Sequence, residues 1–141
     1  MKEKENVEFF RQMVRLRAEF SRYFSAGEMA RPPKLFGSIP TVRADWQWSG
    51  QWWVTNNAVL TGAWQLPKER RMVLFFVNVS DESVPTQAQF KAEASAIRAH
   101  VLHAQCRKVG GSRTAREDWP AASERSLTFS PRQAEAWELR W

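Results

Sequence analysis

Residues 56–84 read NNAVLTGAWQLPKERRMVLFFVNVSDESV, and this stretch decides the fold. Its centre, residues 72–79, is apolar except at Asn78 and is rich in β-branched and aromatic side chains. The run is too short for a helix of ordinary length, so it predicts a strand that is buried on both faces of its sheet.

Two further runs flank this strand. Residues 58–66 lean apolar, and residues 67–71, PKERR, have the composition of a hairpin loop. After the central strand, residues 80–83, SDES, predict a tight polar turn, and residues 84–90 resume an extended pattern. We therefore expect three neighbouring antiparallel strands, with the rest of the chain packed on them.

Length and composition indicate one folded domain. The chain has 141 residues, of which 43% are hydrophobic and 26% charged, a balance that excludes a disordered protein. No apolar stretch is long enough to cross a bilayer, and the charged start MKEKENVEFF is unlike a secretion signal. We therefore expect no membrane partner. The single cysteine, Cys106, rules out an internal disulfide but does not indicate the cellular compartment.

The charge is moderately basic but evenly spread. The chain has 21 basic and 15 acidic side chains, and residues 1–34 hold eight and five of these. The basic clusters are no larger than pairs such as Arg70-Arg71 and Arg107-Lys108, so we expect no nucleic-acid partner.

Eight tryptophans are unusual for this length. Such side chains are buried, stacked on a ligand or pressed into an interface, and they direct the search for function.

Residues 5–24 have the pattern of an amphipathic helix. Asn6 is the predicted N-cap, and Gly27 in the left-handed conformation is the predicted stop. The apolar face is wide, so the helix needs a large partner surface. Its members are Phe9, Met13, Leu16, Phe20 and Tyr23, with Phe10, Val14 and Phe24 beside them.

The sequence GEMARPP follows the helix, and its paired prolines Pro32 and Pro33 force an extended connector. We place the boundary here, with a helix and linker at 1–34 and a β-sandwich domain at 35–141. The predicted fold is mainly β, an antiparallel β-sandwich preceded by one N-terminal amphipathic α-helix.

The remaining strands are predicted from alternation and turns. Residues 41–48 and 52–55 flank a Ser-Gly turn, and residues 126–130 and 134–141 flank Pro131-Arg132. In the last strand Trp137, Leu139 and Trp141 are expected on one face, opposite Glu138 and Arg140.

Two segments have less regular patterns. Residues 91–107 contain many alanines at helical spacing, which favours a helix, while Leu102, Ala104 and Cys106 alternate as in a strand. Local pattern alone favours the helix. Residues 109–125, with a Gly-Gly pair and several charges, predict a loop around Trp119.

Taken in order, several motifs resemble a known group of proteins. A helix running into GEMARPP, then NAVLTGAWQ, VLFFVNVSDESV and SPRQAEAWELRW, is similar to the C-terminal end of bacterial glycoside-hydrolase-like proteins of the α-galactosidase and α-amylase type. These have a (β/α)8 catalytic barrel followed by an antiparallel β-sandwich. By this resemblance residues 7–24 match the last barrel helix, 28–33 the linker and 73–82 the central strand, and residues 99–107 form a strand.

The resemblance implies a role in carbohydrate metabolism without catalysis by this chain, because the barrel and its catalytic carboxylates are absent. The expected function is an accessory β-sandwich that braces the barrel and contributes to carbohydrate binding. The alternatives are a free-standing carbohydrate-binding module and an oligomeric structural domain. The expected partners are a (β/α)8 barrel domain, or a second copy, docked through the N-terminal helix, together with carbohydrate.

Tryptophan rings that stack on pyranose faces are the candidate binding groups. Trp52 and Trp53 after a Ser-Gly turn, and Trp119 in a polar loop, are predicted as exposed carbohydrate platforms. Core packing or an interface is the expected role of Trp46, Trp48, Trp64 and Trp137.

We expect no metal site, cofactor or catalytic residue. His100, His103 and Cys106 share a face only on a helix and have no fourth ligand nearby, and nothing activates Cys106 as a nucleophile. Gly110-Gly111 lacks the lysine of a phosphate loop. The acidic residues show no signature of a glycosidase pair; they are Glu28, Asp45, Asp81, Glu82, Glu117 and Asp118.

Overall fold

The computed structural model describes the backbone of residues 2–37, 39–46, 52–108, 114 and 116–141, and side chains at 7–37, 39, 40, 57–108, 114 and 116–141. The fold is mainly β, with two antiparallel sheets stacked behind an N-terminal helical segment, and this confirms the predicted fold class. The described elements are α1 (Lys2–Glu19), α2 (Ser21–Ala26), β1 (Glu28–Met29), β2 (Lys34–Phe36), β3 (Thr41–Trp46), β4 (Trp52–Asn57), β5 (Val59–Leu66), β6 (Arg71–Asn78), β7 (Val84–Lys91), β8 (Val101–Lys108), β9 (Glu117–Pro120), β10 (Ala122–Phe129) and β11 (Gln133–Arg140).

Six strands form the main sheet in the order β1-β5-β6-β11-β8-β9, and three form the small sheet in the order β10-β7-β2. Strands β3 and β4 pair with each other as a separate two-stranded sheet. Every described strand pair is antiparallel. Because β1 pairs with β5, part of the predicted linker is a strand of the main sheet, and the division of the chain at residue 34 stays a prediction.

Strand β6 is the central strand, as predicted. It forms a hairpin with β5 through a 3-10 turn at Pro67–Glu69, and Arg70 closes the turn in the left-handed conformation. Side chains on both of its faces are buried, including Val73 on one face and Met72 and Phe76 on the other.

Strand β7 is not the third neighbour in this sheet, so the expectation of three adjacent strands is wrong. β7 pairs with β10 and β2, and β11 lies beside β6 instead. Buried Asn78 stabilises the point where the chain passes from β6 to the small sheet, because its amide donates to the carbonyls of Glu82, Phe129 and Ser130 at 2.8, 3.1 and 3.0 Å. These bonds tie the end of β6 to the turn that follows it and to the end of β10.

The space between the two sheets is the sandwich core. Phe76 of the main sheet stacks on Phe129 of the small sheet at 5.4 Å between ring centroids. Val84, Ala88 and Phe90 of β7 point into the same space and are buried. This layer accounts for the alternating pattern of β7.

The helices cover the opposite face of the main sheet and form the helix-side core. Phe20 meets Phe75 edge-on at 5.8 Å, and Phe24 stacks on Phe75 at 5.5 Å. Tyr23 and Leu16 are also buried there. The main sheet is therefore covered on both faces, which explains why β6 is apolar on both.

The helical segment differs in detail from the prediction. α1 begins before Asn6 and ends at Glu19, and the N–H of Phe20 bonds the carbonyl of Arg17 where the segment breaks. Gly27 has φ −94°, so the predicted left-handed stop is wrong. A glycine is required there because a Cβ would lie 2.4 Å from the Tyr23 carbonyl oxygen and 2.7 Å from that of Gln65.

The strand that the resemblance implies for residues 99–107 is confirmed as β8, and the helix favoured by alanine content is wrong. A single 3-10 turn at Ala92–Ser95 precedes the strand. β8 is extended because Leu102, Ala104 and Cys106 alternate into the sandwich core, which outweighs helix propensity.

The predicted loop at 109–125 is partly wrong, because β9 and the first residues of β10 lie within it. Trp119 pairs with Leu102 of β8 and extends the main sheet. The structure does not describe residues 109–113 and 115.

The remaining predicted strands are present with shifted bounds. β3 and β4 cover the described part of 41–48 and 52–55, while 47 and 48 lie outside the described residues. The two last strands are β10 and β11. Trp137, Leu139 and Trp141 pack in the sandwich core and Glu138 lies on the opposite face, as predicted. Glu138 is only 6% exposed there, beneath the helices.

Candidate functional site

Helix α1 presents apolar side chains on two faces. Leu16 faces the helix-side core and is buried, while Val7, Phe10 and Val14 are 55%, 69% and 52% exposed. The spacing of these three places them in one line along the helix, which we call the outer stripe. The wide apolar face seen in the sequence is thus two faces, of which one remains uncovered.

A groove continues the outer stripe towards α2. It measures about 470 Å³ and is lined by Val14, Arg17, Ala18, Ser21, Phe24 and Ser25. The Arg17 guanidinium lies 5.3 Å from the centroid of the Phe24 ring. An apolar stripe that continues into an apolar groove is typical of a protein contact surface.

Positive charge flanks the outer stripe. At about 100° per residue, Arg11 and Arg17 fall on its two sides. Residues 7–18 contain three arginines, with Arg15 as the third, and one acid, Glu8. The surface therefore fits an apolar partner with an acidic rim.

A buried polar network fixes α2 on the main sheet. Tyr23 Oη donates to Glu138 Oε2 at 2.8 Å, and Arg140 Nη2 donates to Glu138 Oε1 at 3.1 Å. Burial, and then the neighbouring carboxylate, raise the pKa of Tyr23, so its hydroxyl stays protonated and remains a donor. The guanidinium of Arg71 lies 5.3 Å from the Tyr23 ring.

The linker cavity is an open space of about 460 Å³ beside this network, and Glu28 and Glu69 both line it. Arg22 Nε donates to both oxygens of Glu69 at 3.0 and 2.9 Å, and Arg71 Nη2 adds a bond at 2.9 Å. The hydrogen bond from Arg22 is the main cause of the lowered pKa of Glu69. Glu69 is thus held ionised, the opposite of what a general acid requires.

The sandwich core holds a buried acid and the only cysteine. Glu135 is 3% exposed; its Oε2 lies 3.9 Å from Cys106 Sγ, and its Oε1 accepts from Trp137 Nε1 at 3.4 Å. Burial raises the pKa of Cys106 to about 12 and also raises the pKa of Glu135. A buried thiol with this pKa is protonated and unreactive at neutral pH.

Of the three predicted carbohydrate platforms, the structure describes the side chain of Trp119. Trp119 lies in β9 and is 2% exposed, so the expectation of an exposed ring in a loop is wrong. Its ring meets Trp137 at 5.0 Å and is covered by the Arg125 guanidinium at 5.1 Å. Trp52 and Trp53 begin β4, and their side chains lie outside the described part, so their role stays a prediction.

The described residues contain no group of three or more His, Cys, Asp or Glu side chains placed to hold a metal ion. On β8, exposed His103 pairs with Asp118 at 2.7 Å, while Cys106 is buried.

Across the residues described, no helix has the length and apolar character needed to span a membrane.

Two features of this region were missed in the sequence. The Tyr23–Glu138 bond joins residues 115 positions apart, so no local pattern could reveal it. The second apolar face of α1 could have been predicted, because Phe10 and Val14 lie off the main apolar line of the helix.

Comparison with known proteins gives no match: no family model fits the chain, and no curated protein and no solved structure is significantly similar to it.

Proposed function

We propose that the chain is a non-catalytic accessory β-sandwich domain of a glycoside-hydrolase-like protein, and that it braces a (β/α)8 barrel through the outer stripe. The observation that carries this proposal is the exposure of Phe10, 69%, in line with Val7 and Val14. An exposed line of large apolar side chains is costly in water and is usually covered by a partner. The resemblance of α1 to a last barrel helix supplies the kind of partner.

Charge favours a different domain over a second copy. Two copies packed stripe to stripe would bring Arg11 and Arg17 of one molecule close to those of the other, and like charges at a contact are unfavourable. A barrel surface with acidic side chains around an apolar patch would instead pair with these arginines.

The linker cavity supports a non-catalytic role. A glycosidase needs one carboxyl that gives a proton and a second that acts as nucleophile or base. Glu69 is held ionised by Arg22 and Arg71, and Glu28 accepts a bond from Gln65 Nε2 at 2.9 Å. Glu69 is therefore not the protonated carboxyl that a catalytic acid requires.

Two measurements test the accessory role. A panel of aryl glycosides should show no turnover with the isolated chain, and turnover that is abolished by Glu28→Gln would contradict the proposal. Sedimentation velocity should show a monomer over a wide concentration range. A dimer that Phe10→Ser dissociates would assign the outer stripe to a second copy instead.

A contribution to carbohydrate binding is the second candidate. It is favoured by the register of the β3–β4 pair, which sets Trp46 opposite Trp52, with Trp53 opposite Asp45. Tryptophans next to polar residues, on a strand pair separate from both sheets, suit stacking on sugar rings. Calorimetric titration with soluble polysaccharides should show binding that Trp52→Ala weakens. Absence of binding to every glycan would leave only the bracing role.

A further inference from the structure

A small basic cavity lies where the linker meets the small sheet, and neither bracing nor sugar stacking uses it. It has a volume of about 170 Å³. Its lining includes Arg31, Lys34 and Lys91, together with Pro33, Gln89 and Phe90. We call it the basic cavity.

The walls of the basic cavity are fixed by regular structure. Lys34 and Gln89 are register partners in the β2–β7 ladder, so their backbones are held by strand pairing. The ring of Pro33 is buried and locks the adjoining backbone, and Phe90 is buried in the sandwich core. A cavity on such walls is present before a ligand arrives, which lowers the cost of binding.

The charges of the basic cavity are unbalanced. Its described lining has three cations and no acidic side chain. Glu124, on the neighbouring strand, is hydrogen-bonded to Gln89 Nε2 at 3.3 Å. In the described part of the chain, none of the three cations forms an ion pair, although the acids Glu69, Asp81 and Glu19 elsewhere are each paired with an arginine.

We propose that the basic cavity is a binding site for a small oxyanion, such as a phosphate or the carboxylate of an acidic sugar. Arg31 suits this ligand because a guanidinium bonds two oxygens of one anion, and Lys34 and Lys91 add charge from strand positions. A volume of 170 Å³ equals that of about five or six water molecules, enough for one anionic group with part of a sugar ring.

The test is calorimetric titration of the full chain at low salt, because screening weakens contacts between exposed charges. The ligands are inorganic phosphate, glucuronate, and galactose as an uncharged control. The variants are Arg31→Gln with Lys34→Gln, and a matched pair, Lys68→Gln with Arg116→Gln, which removes the same charge from exposed positions outside the basic cavity. Circular dichroism verifies that each variant is folded.

Phosphate, glucuronate or both should bind the wild-type chain, and the tighter ligand identifies the source of the anion. The Arg31/Lys34 variant should raise the Kd about tenfold, because it loses two charge-assisted contacts at a solvent-exposed site. The matched variant should leave the Kd unchanged. The proposal is overturned if neither anion binds, if galactose binds as tightly as glucuronate, or if both variants weaken binding equally. Each of these outcomes leaves the bracing role of the outer stripe untouched.

Discussion

Replacing Tyr23 by phenylalanine tests whether the helices are an integral layer of the fold. The change removes the hydroxyl that donates to Glu138 Oε2 at 2.8 Å, and it keeps the ring in the helix-side core. A hydrogen bond to a charged group contributes about 1.5–3 kcal/mol. Glu138 keeps its bond from Arg140 at 3.1 Å, so we expect a loss of about 1.5 kcal/mol in the free energy of unfolding, at the low end of that range.

The assay is urea unfolding at pH 7, followed by circular dichroism and by tryptophan fluorescence. The midpoint should fall with the m-value unchanged. Ser25→Ala, an exposed change on the same helix, should alter the free energy of unfolding by less than about 0.5 kcal/mol. A double-mutant cycle with Glu138→Gln should give a coupling energy of about 1 kcal/mol. A Tyr23→Phe loss as small as that of Ser25→Ala, or a coupling near zero, would refute the buried contact.

Three further predictions concern the interior. Gly27→Ala should cost about 2 kcal/mol in unfolding free energy, since its Cβ would meet the Tyr23 carbonyl oxygen at 2.4 Å; a variant as stable as wild type in urea would contradict the packing. The raised pKa of Glu135 means that the folded state holds its proton more tightly than the unfolded state does. The free energy of unfolding should therefore fall as pH rises above 4.5, the ordinary pKa of a glutamate, and Glu135→Gln should reduce that fall. Urea unfolding at pH 4.5 and pH 7 measures it, and an equal fall in wild type and Glu135→Gln would refute the prediction. Cys106, buried with a pKa raised to about 12, should resist a thiol reagent at pH 8 until urea unfolds the chain, and rapid labelling of the folded protein would be the opposite result.

Local pattern was sufficient where neighbouring residues decide the structure. The β5–β6 hairpin was predictable because PKERR separates two apolar runs that pair directly across the turn. The burial of β6 on both of its faces was predictable because its sequence is apolar without alternation. For β7 the local pattern predicted a strand but not its neighbours, since its partners β10 and β2 lie far away in sequence.

Tertiary packing overrode local pattern elsewhere. Residues 91–107 have the alanine content of a helix, yet alternation into the sandwich core makes residues 101–108 a strand. No local pattern predicts the burial of the charged Glu138, because its hydrogen-bond partner Tyr23 lies far away in sequence. Trp119 was predicted as an exposed platform from its polar neighbours, but strand pairing with β8 and the guanidinium of Arg125 cover it.

The central claim is that the outer stripe binds a barrel domain, and one titration tests it most directly. A (β/α)8 barrel protein encoded with this chain is titrated calorimetrically into wild type, Phe10→Ser and Phe36→Ser. Phe36→Ser is the matched control, because Phe36 is 47% exposed and lies on β2, away from α1. We predict that wild type and Phe36→Ser bind alike, and that Phe10→Ser raises the Kd at least about tenfold. Equal binding by Phe10→Ser and wild type, or the absence of any barrel encoded with the chain, would contradict the claim.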